Sequence, residues 1–258
     1  MKKILSIAIT ACLMASMFTS CIIEKRNECL NENLTHANSL TFKVNEFEML
    51  DVDGACKVMY TQGAADTVRV EGEPRDVAQF EWSQEGNKLT MGMKNKIAVI
   101  NLYNPSSQVT VYISSTTLTD VELCGASDLY MDEPVKFDKL RLKSDGASTI
   151  GLTDFTAESL RITASGASNM KIKKANVGTF DLNMSGAGDI NANVIGAENV
   201  DARLAGAAAM DMNLTECGDV NVEVSGAGSV TLSGDARSIS KSKSGAASID
   251  IDDLKITK

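Results

Sequence analysis

The chain has 258 residues, 43% hydrophobic but only 5% aromatic, with a formal net charge of −9 and a single histidine, His36. That length accommodates one large β domain or two smaller ones, with a core built from aliphatic and small side chains. The acidic balance argues against nucleic acid as a partner, since binding it takes a basic face that displaces counterions, and Ser-His-Asp, Cys-His or multi-histidine metal chemistry would have to recruit His36 alone.

Residues 1–20 read as a lipoprotein signal peptide. Lys2 and Lys3 supply a positive start, and residues 4–18 are largely apolar but short for a membrane span. Phe18-Thr19-Ser20-Cys21 resembles a bacterial lipobox, with Phe18 where Leu is usual. The resemblance implies that Cys21 is lipidated and becomes the new N-terminus, so that the membrane is a partner through the N-terminal lipid. The plainer alternative is an ordinary signal peptide followed by a chance cysteine. Residues 21–41 are polar and rich in Asn and Glu, as expected of a tether. Ile22 stands where Asp would, by analogy with Gram-negative lipoproteins, favour retention at the inner membrane, so the expected location is the outer membrane, on its cell-surface or periplasmic side. Cys56, Cys124 and Cys217 are far apart with no framework spacing. They read as small buried hydrophobes, with a Cys56–Cys124 bridge as the alternative.

Residues 42–118 form an N-terminal β cap region. MLDVDGACKVMYTQG, DTVRVEGE, NKLTMGM and SQVTVYIS alternate as strands do, and PRDVAQFEWSQEG at 74–86 allows a short helical turn. Trp82, Tyr60, Tyr103 and Tyr112 all lie in this half.

Residues 119–258 are a repeat. A Gly-Ala pair begins at Gly125, Gly146, Gly166, Gly186, Gly206, Gly226 and Gly245, at spacings of 21, 20, 20, 20, 20 and 19, with an isolated earlier copy at Gly54. Such periods mark a solenoid. Two and four residues before the glycine the chain is mostly aliphatic, as in Val121/Leu123, Ile162/Ala164 and Val222/Val224. Four and six residues after it the pattern returns, as in Leu129/Met131, Met170/Ile172 and Val230/Leu232. Period-2 alternation on both sides predicts two strands per unit, each with one buried face. A shorter third segment follows, as in Phe155/Ala157, Ala175/Val177 and Ile195/Ala197. The eight glycines are therefore structural corner residues, stacked in a bend too crowded for side chains. A phosphate-cradling role would need a strand-to-helix context that is absent. In the last unit Lys241 and Lys243 replace the aliphatic pair, which reads as an end cap against further strand pairing. The fold class is all-β: a parallel solenoid of about seven 20-residue turns behind the cap.

FEMLDVDGACKVMYTQG, then VRVEGE, VTVYIS and serial SGAG/SGAS units, over roughly residues 42–250, resemble the autotransporter-adhesin head domains known as GIN domains. The resemblance implies a right-handed parallel β-helix-like fold in the cell envelope. The family has no agreed catalytic residues, so it carries none over to this chain.

Any function then sits on the outward columns. Before the glycine run Asp120, Arg141, Arg161, Asp181, Asp201, Asn221 and Glu122, Lys143, Thr163, Asn183, Arg203, Glu223, whose signs mix as in solvated charge compensation. After it the columns are richer in acids and amides. Asp189, Asn191, Asp211 and Asn213 make an oxygen-rich patch of the kind hard cations use, but neighbouring lysines compete and no calcium-type repeat is present, so neither a metal nor a cofactor is expected. Asp181 and Asp201 are the acid–base pair that an enzyme reading would need. Near-constant turn lengths leave no loops to wall a cleft. Tyr130 is the single aromatic placed on an outer column of the coil. The expected function is a non-enzymatic envelope lipoprotein, an adhesin-like rod binding an unidentified protein or glycan. The alternatives are a pectinase-like polysaccharide-active enzyme and a periplasmic scaffold.

Overall fold

The computed structural model describes residues 38–94 and 108–257, which belong to one compact unit, Thr35–Lys258. The signal peptide, Cys21, the tether up to residue 37 and Tyr103 lie outside the described residues.

From Asp120 onward the chain is a parallel β-solenoid of about seven turns. It comprises β8 (Asp120–Gly125), β9 (Asp128–Met131), β10 (Val135–Leu152), β11 (Phe155–Ile195), β12 (Asn199–Gly226), β13 (Ser229–Gly245) and β14 (Ser248–Ile256). The long strands turn the corners without a break in pairing, so the 41 residues of β11 cover two turns. Each strand pairs in parallel with its copy one repeat on, as in Gly146↔Gly166 and Gly186↔Gly206. The 21-residue first spacing is absorbed between Met131 and Val135, where the register changes from Met131↔Leu152 to Val135↔Phe155. The 19-residue last spacing arises at a bulge between Leu214 and Cys217. Glu216, in that bulge, has φ 54°, and its N–H donates to Asp235 Oδ2 at 2.9 Å.

Alternation gives each turn an inward set that stacks on its copies. Val121, Leu142, Ile162, Leu182, Ala202 and Val222 form one buried ladder, and Leu129, Ile150, Met170, Ile190, Met210 and Val230 another. Burying each large aliphatic side chain contributes about 1.5–3 kcal/mol, which is how a chain so poor in aromatics holds a core. The third wall carries Phe155, Ala157, Ala175 and Val177; one turn on, Val194 is fully buried and Ile195 only half-buried. Ser144 stands in an aliphatic column yet is buried, and its hydroxyl is within hydrogen-bond reach of Ser148 and of Ser168, the latter at 3.2 Å. That pairing removes the penalty of a lone buried hydroxyl.

The eight Gly-Ala glycines share one corner, and all have positive φ, from 77° at Gly125 to 142° at Gly186. The carbonyl of each lower glycine points up the stack. Gly206 O accepts the Ala227 N–H at 2.8 Å. A Cβ on Gly226 would sit 2.5 Å from that same oxygen, and one on Gly186 would sit 2.0 Å from Gly166 O. Both the backbone angle and the contact demand glycine. Two further glycines answer to a carbonyl one turn below. Gly178 and Gly218 have ordinary φ, but a Cβ there would meet Glu158 O at 2.8 Å and Glu198 O at 2.2 Å.

The cap region is where stacking order departs from chain order. β2 (Met49–Gly54) and β3 (Cys56–Gln62) lie directly beneath β8 and β9, with Gly54 under Gly125. Gly54 is thus the first corner of the coil, not an isolated copy. β6 (Lys88–Met93) and β7 (Val109–Ser115), later in sequence, form the level below β2 and β3. Antiparallel strands close the bottom: β5 (Phe80–Glu85) on β6, and β4 (Thr67–Glu71) on β7 with β1 (Ser39–Lys43) outside it. Ser39, Leu40 and Thr41, read as the end of the tether, belong to β1. The helical turn is the four residues of α1 (Pro74–Val77). Phe42 stacks on Trp82 with centroids 4.0 Å apart and 10° between planes, and both pack on the core.

The cap is pinned by one carboxylate. Glu46 Oε1 accepts from the Thr116 hydroxyl and Thr116 N–H, both at 2.6 Å, and from the Ser115 hydroxyl at 3.0 Å. Its Oε2 accepts the Ala65 N–H at 3.1 Å. The Thr116 hydroxyl foremost, with these other donors, holds the carboxyl at about 2, below its ordinary 4.5. Because the folded value is depressed, the stabilisation is present in full above about pH 4.5 and is lost as pH falls towards 2. Melting temperatures across that range should fall more steeply for the natural chain than for Glu46→Gln. Parallel curves would refute the role.

Candidate functional site

The coil presents three walls, and their outward side chains differ in how their charges are paired. On the first wall, before the corner glycine, cations and acids pair across turns. Arg141 meets Asp120, Lys143 meets Glu122, and Arg161 meets Asp181 at 2.9 Å. Arg203 meets Asp201 at 2.9 Å and Glu223 at 3.8 Å, and Lys88 meets Asp51 at 3.0 Å. These are exposed pairs, each contributing about 1 kcal/mol or less. Asp181 and Asp201 are neighbours in register, but Arg161 holds one while Arg203 and Asn221 hold the other. Each carboxylate is thus engaged by its own neighbouring guanidinium.

On the third wall and its corners Lys174 pairs with Asp154 at 3.3 Å. Arg237 bridges Glu198 and Asp219, both at 2.7 Å, and with the Ser238 hydroxyl lowers the Asp219 carboxyl.

The second wall, after the corner glycine, is different. Its corner column is structural: Asp128 Oδ1 accepts the Thr149 N–H at 2.7 Å, and Asn169 Oδ1 accepts the Asp189 N–H at 3.1 Å. Beyond the corner, Lys171, Lys173, Asn191, Asp211 and Asn213 line a shallow depression of about 180 Å³. Asn193 is tied to Lys173 O at 2.9 Å and Asn213 to Ser233 Oγ at 3.0 Å. Among the described residues the ammonium groups of Lys171 and Lys173 have no acid within ion-pair distance. The oxygen-rich patch read from the sequence is therefore partly assembled: Asn191, Asp211 and Asn213 converge, while Asp189 stays at the corner. Among the described residues no three His, Cys, Asp or Glu side chains cluster as metal ligands would.

Below the depression the same outward column is apolar. Tyr112 of β7, Met59 of β3 and Tyr130 of β9 succeed one another on adjacent levels, followed by Gly151. Tyr130 is thus not the single outer aromatic: Tyr112 joins its column because β7 is a level of the coil. Arg69 lies 4.3 Å from the Tyr112 ring centroid, and Lys57 Nζ lies 5.0 Å from that of Tyr130. Partial burial, followed by the Asp128 charge, raises the Tyr130 phenol.

The three cysteines among the described residues form no bridge. Cys56, Cys124 and Cys217 are free thiols. Cys56 points into the core, where burial pushes it up to about 12, whereas Cys124 lies on the outward side of β8, so the two cannot bridge.

Fold and surface together define a β-solenoid whose first wall is laddered with ion pairs and whose second wall carries exposed lysines, amides and aromatic rings. The comparisons with known proteins agree with that class. Residues 46–236 match the family described as "Putative auto-transporter adhesin, head GIN domain", and the chain belongs to it. A crystal structure titled as a putative adhesin from Bacteroides fragilis is 21% identical, with a TM-score of 0.70 over 82% of this chain and 95% of that one. Another, from Parabacteroides distasonis, is 16% identical, with a TM-score of 0.65 over 83% and 96%. A third, from the same species and titled as a putative lipid binding protein, is 16% identical, with a TM-score of 0.51 over 82% and 95%. At these identities the likeness concerns the fold. No curated protein is similar to the chain.

Proposed function

We infer that the protein is a non-enzymatic lipoprotein of the outer membrane, held by a lipid on Cys21, that displays the second wall of its coil to a partner outside the cell. The observation that carries this reading is the contrast between walls. The charges of the first wall are consumed by one another, whereas Lys171, Lys173, Asn191 and Asp211 face solvent around one depression. A flat polar surface of this kind gives weak single contacts, which many anchored copies convert into avidity. Membership of the adhesin-head family supports the same direction.

Protease added to intact cells tests it, with a periplasmic protein as internal control. Removal of the domain while the control survives is the expected result. Protection until the outer membrane is permeabilised would overturn the surface reading in favour of a periplasmic scaffold. Release of reducing ends from uronate polymers by the purified chain, abolished by Asp181→Asn or Asp201→Asn, would overturn the non-enzymatic reading.

A further inference from the structure

Gly151 is the residue on the second wall that the coil itself does not explain. It is not at a corner, its φ is ordinary for a strand, and other levels of its column carry Lys171 and Asp211. What it lacks room for is a side chain. A Cβ there would sit 2.7 Å from Cδ1 of Tyr130, so the Tyr130 ring lies across Gly151 against the sheet. A half-exposed aromatic ring laid on a glycine is a platform. Lys57 stands over it, at 5.0 Å from the centroid, and Lys171 is paired directly above Gly151 with Lys173 two residues on. Successive levels are about 4.8 Å apart, so the Lys171 backbone is one level beyond the ring. Of the acids nearby, Asp128 is engaged by Gln108 and the Thr149 N–H, Asp132 stands two residues from Tyr130 and its charge reaches the phenol, and Asp211 lines the depression further up the coil.

We propose that Tyr130, Gly151, Lys57, Lys171 and Lys173 form a binding subsite for an acidic polysaccharide, one sugar ring stacking on Tyr130 and its anionic group meeting the lysines. The proposal rests on the second wall being the binding face. An aromatic platform takes the apolar face of a sugar and discriminates little between sugars. The lysines supply the preference: three ammonium groups without an ion-pair partner among the described residues, on a protein of net charge −9, select an anion. Lys57 has a flexible stem, and its contact with an exposed ring is weak. It exchanges that contact for the anionic group as the sugar seats. The chain of sugars continues along the coil axis into the depression lined by Asn191 and Asn213.

The purified full chain is titrated with polygalacturonate, chondroitin sulfate and dextran, which present carboxylate, sulfate and no charge. At least one acidic polymer should bind about tenfold or more tighter than dextran, weakening with salt. Tyr130→Ala and the double variant Lys171→Gln/Lys173→Gln should each weaken it about three- to tenfold. Gly151→Ala should do so by lifting the ring without touching a lysine. Melting temperatures of the Tyr130 and lysine variants should match the natural chain, since these side chains lie on the outer surface. Equal binding of dextran, no binding of any polymer, or full binding by both the tyrosine and the lysine variants would overturn the subsite. The outcomes separate from those above. A chain exposed on intact cells that binds no polysaccharide loses this subsite and keeps the surface reading, and a binder protected inside the cell does the reverse.

Discussion

Gly186→Ala should lower the unfolding free energy by at least about 3 kcal/mol in urea, one of the two largest losses expected of single substitutions in this chain. Two costs combine. With φ at 142°, Gly186 occupies a region that an L side chain enters only with strain. The new Cβ also meets Gly166 O at 2.0 Å, and a carbonyl in a continuous ladder cannot rotate away without giving up its own hydrogen bond. In a solenoid each turn is stabilised by its neighbours, so a broken corner in mid-stack weakens the interface on both sides. Gly63→Ala is the matched control: no atom lies within 4 Å of its Cβ position and its φ is ordinary. It should change stability by no more than about 0.5 kcal/mol. Similar losses for both variants would mean that the Gly-Ala repeat is not a steric requirement of the corner.

Val224→Lys should cost about 4 kcal/mol or more, while Lys243→Val, one level above it, should cost nothing measurable. The two residues are paired in register, as are Val222 and Lys241. Val222 and Val224 are 0% and 2% exposed, whereas both lysines are exposed, because no strand among the described residues stacks above this part of β13. A lysine below the last level must bury an ammonium with no acid partner; at the last level its head stays in water. The gain from Lys241→Val/Lys243→Val is predicted elsewhere, in association. With its inward charges removed, the open edge of β13 becomes a template for another strand, and light scattering should show higher-order species that the natural chain does not form. A double variant that remained monomeric would argue that the lysines are not the device protecting that edge.

The experiments divide the molecule cleanly. Corner glycines, core ladders and the Glu46 clasp determine whether the coil stands. Tyr130, Lys171 and Lys173 can be changed without touching any of these, so a binding defect there is separable from a folding defect.

Much of the coil was determined by the sequence alone, because its forces are local and repeated. Period-2 alternation sets which side chains enter the core, and a repeat of about 20 residues sets the register of each turn on the next. The Gly-Ala pair marks the corner, where a Cβ and a carbonyl one level below would compete for the same space. Lys241 and Lys243 fall in columns that, Ser144 apart, are aliphatic until then, which marks this level as different. What only the tertiary structure decided is the order of levels at the bottom. Residues 88–93 and 109–115 follow 49–62 in the chain but stack beneath them, so β2 and β3 pair with strands from both sides. Strand pairing depends on which edges meet in space, and a chain that doubles back through β4 and β5 can enter the stack at a level its sequence position does not reveal. That inversion brings Tyr112 into the column of Tyr130 and Phe42 onto Trp82. The purpose of Gly151 was hidden for the same reason: the side chain that needs its space belongs to a residue one turn away, and no local pattern connects the two.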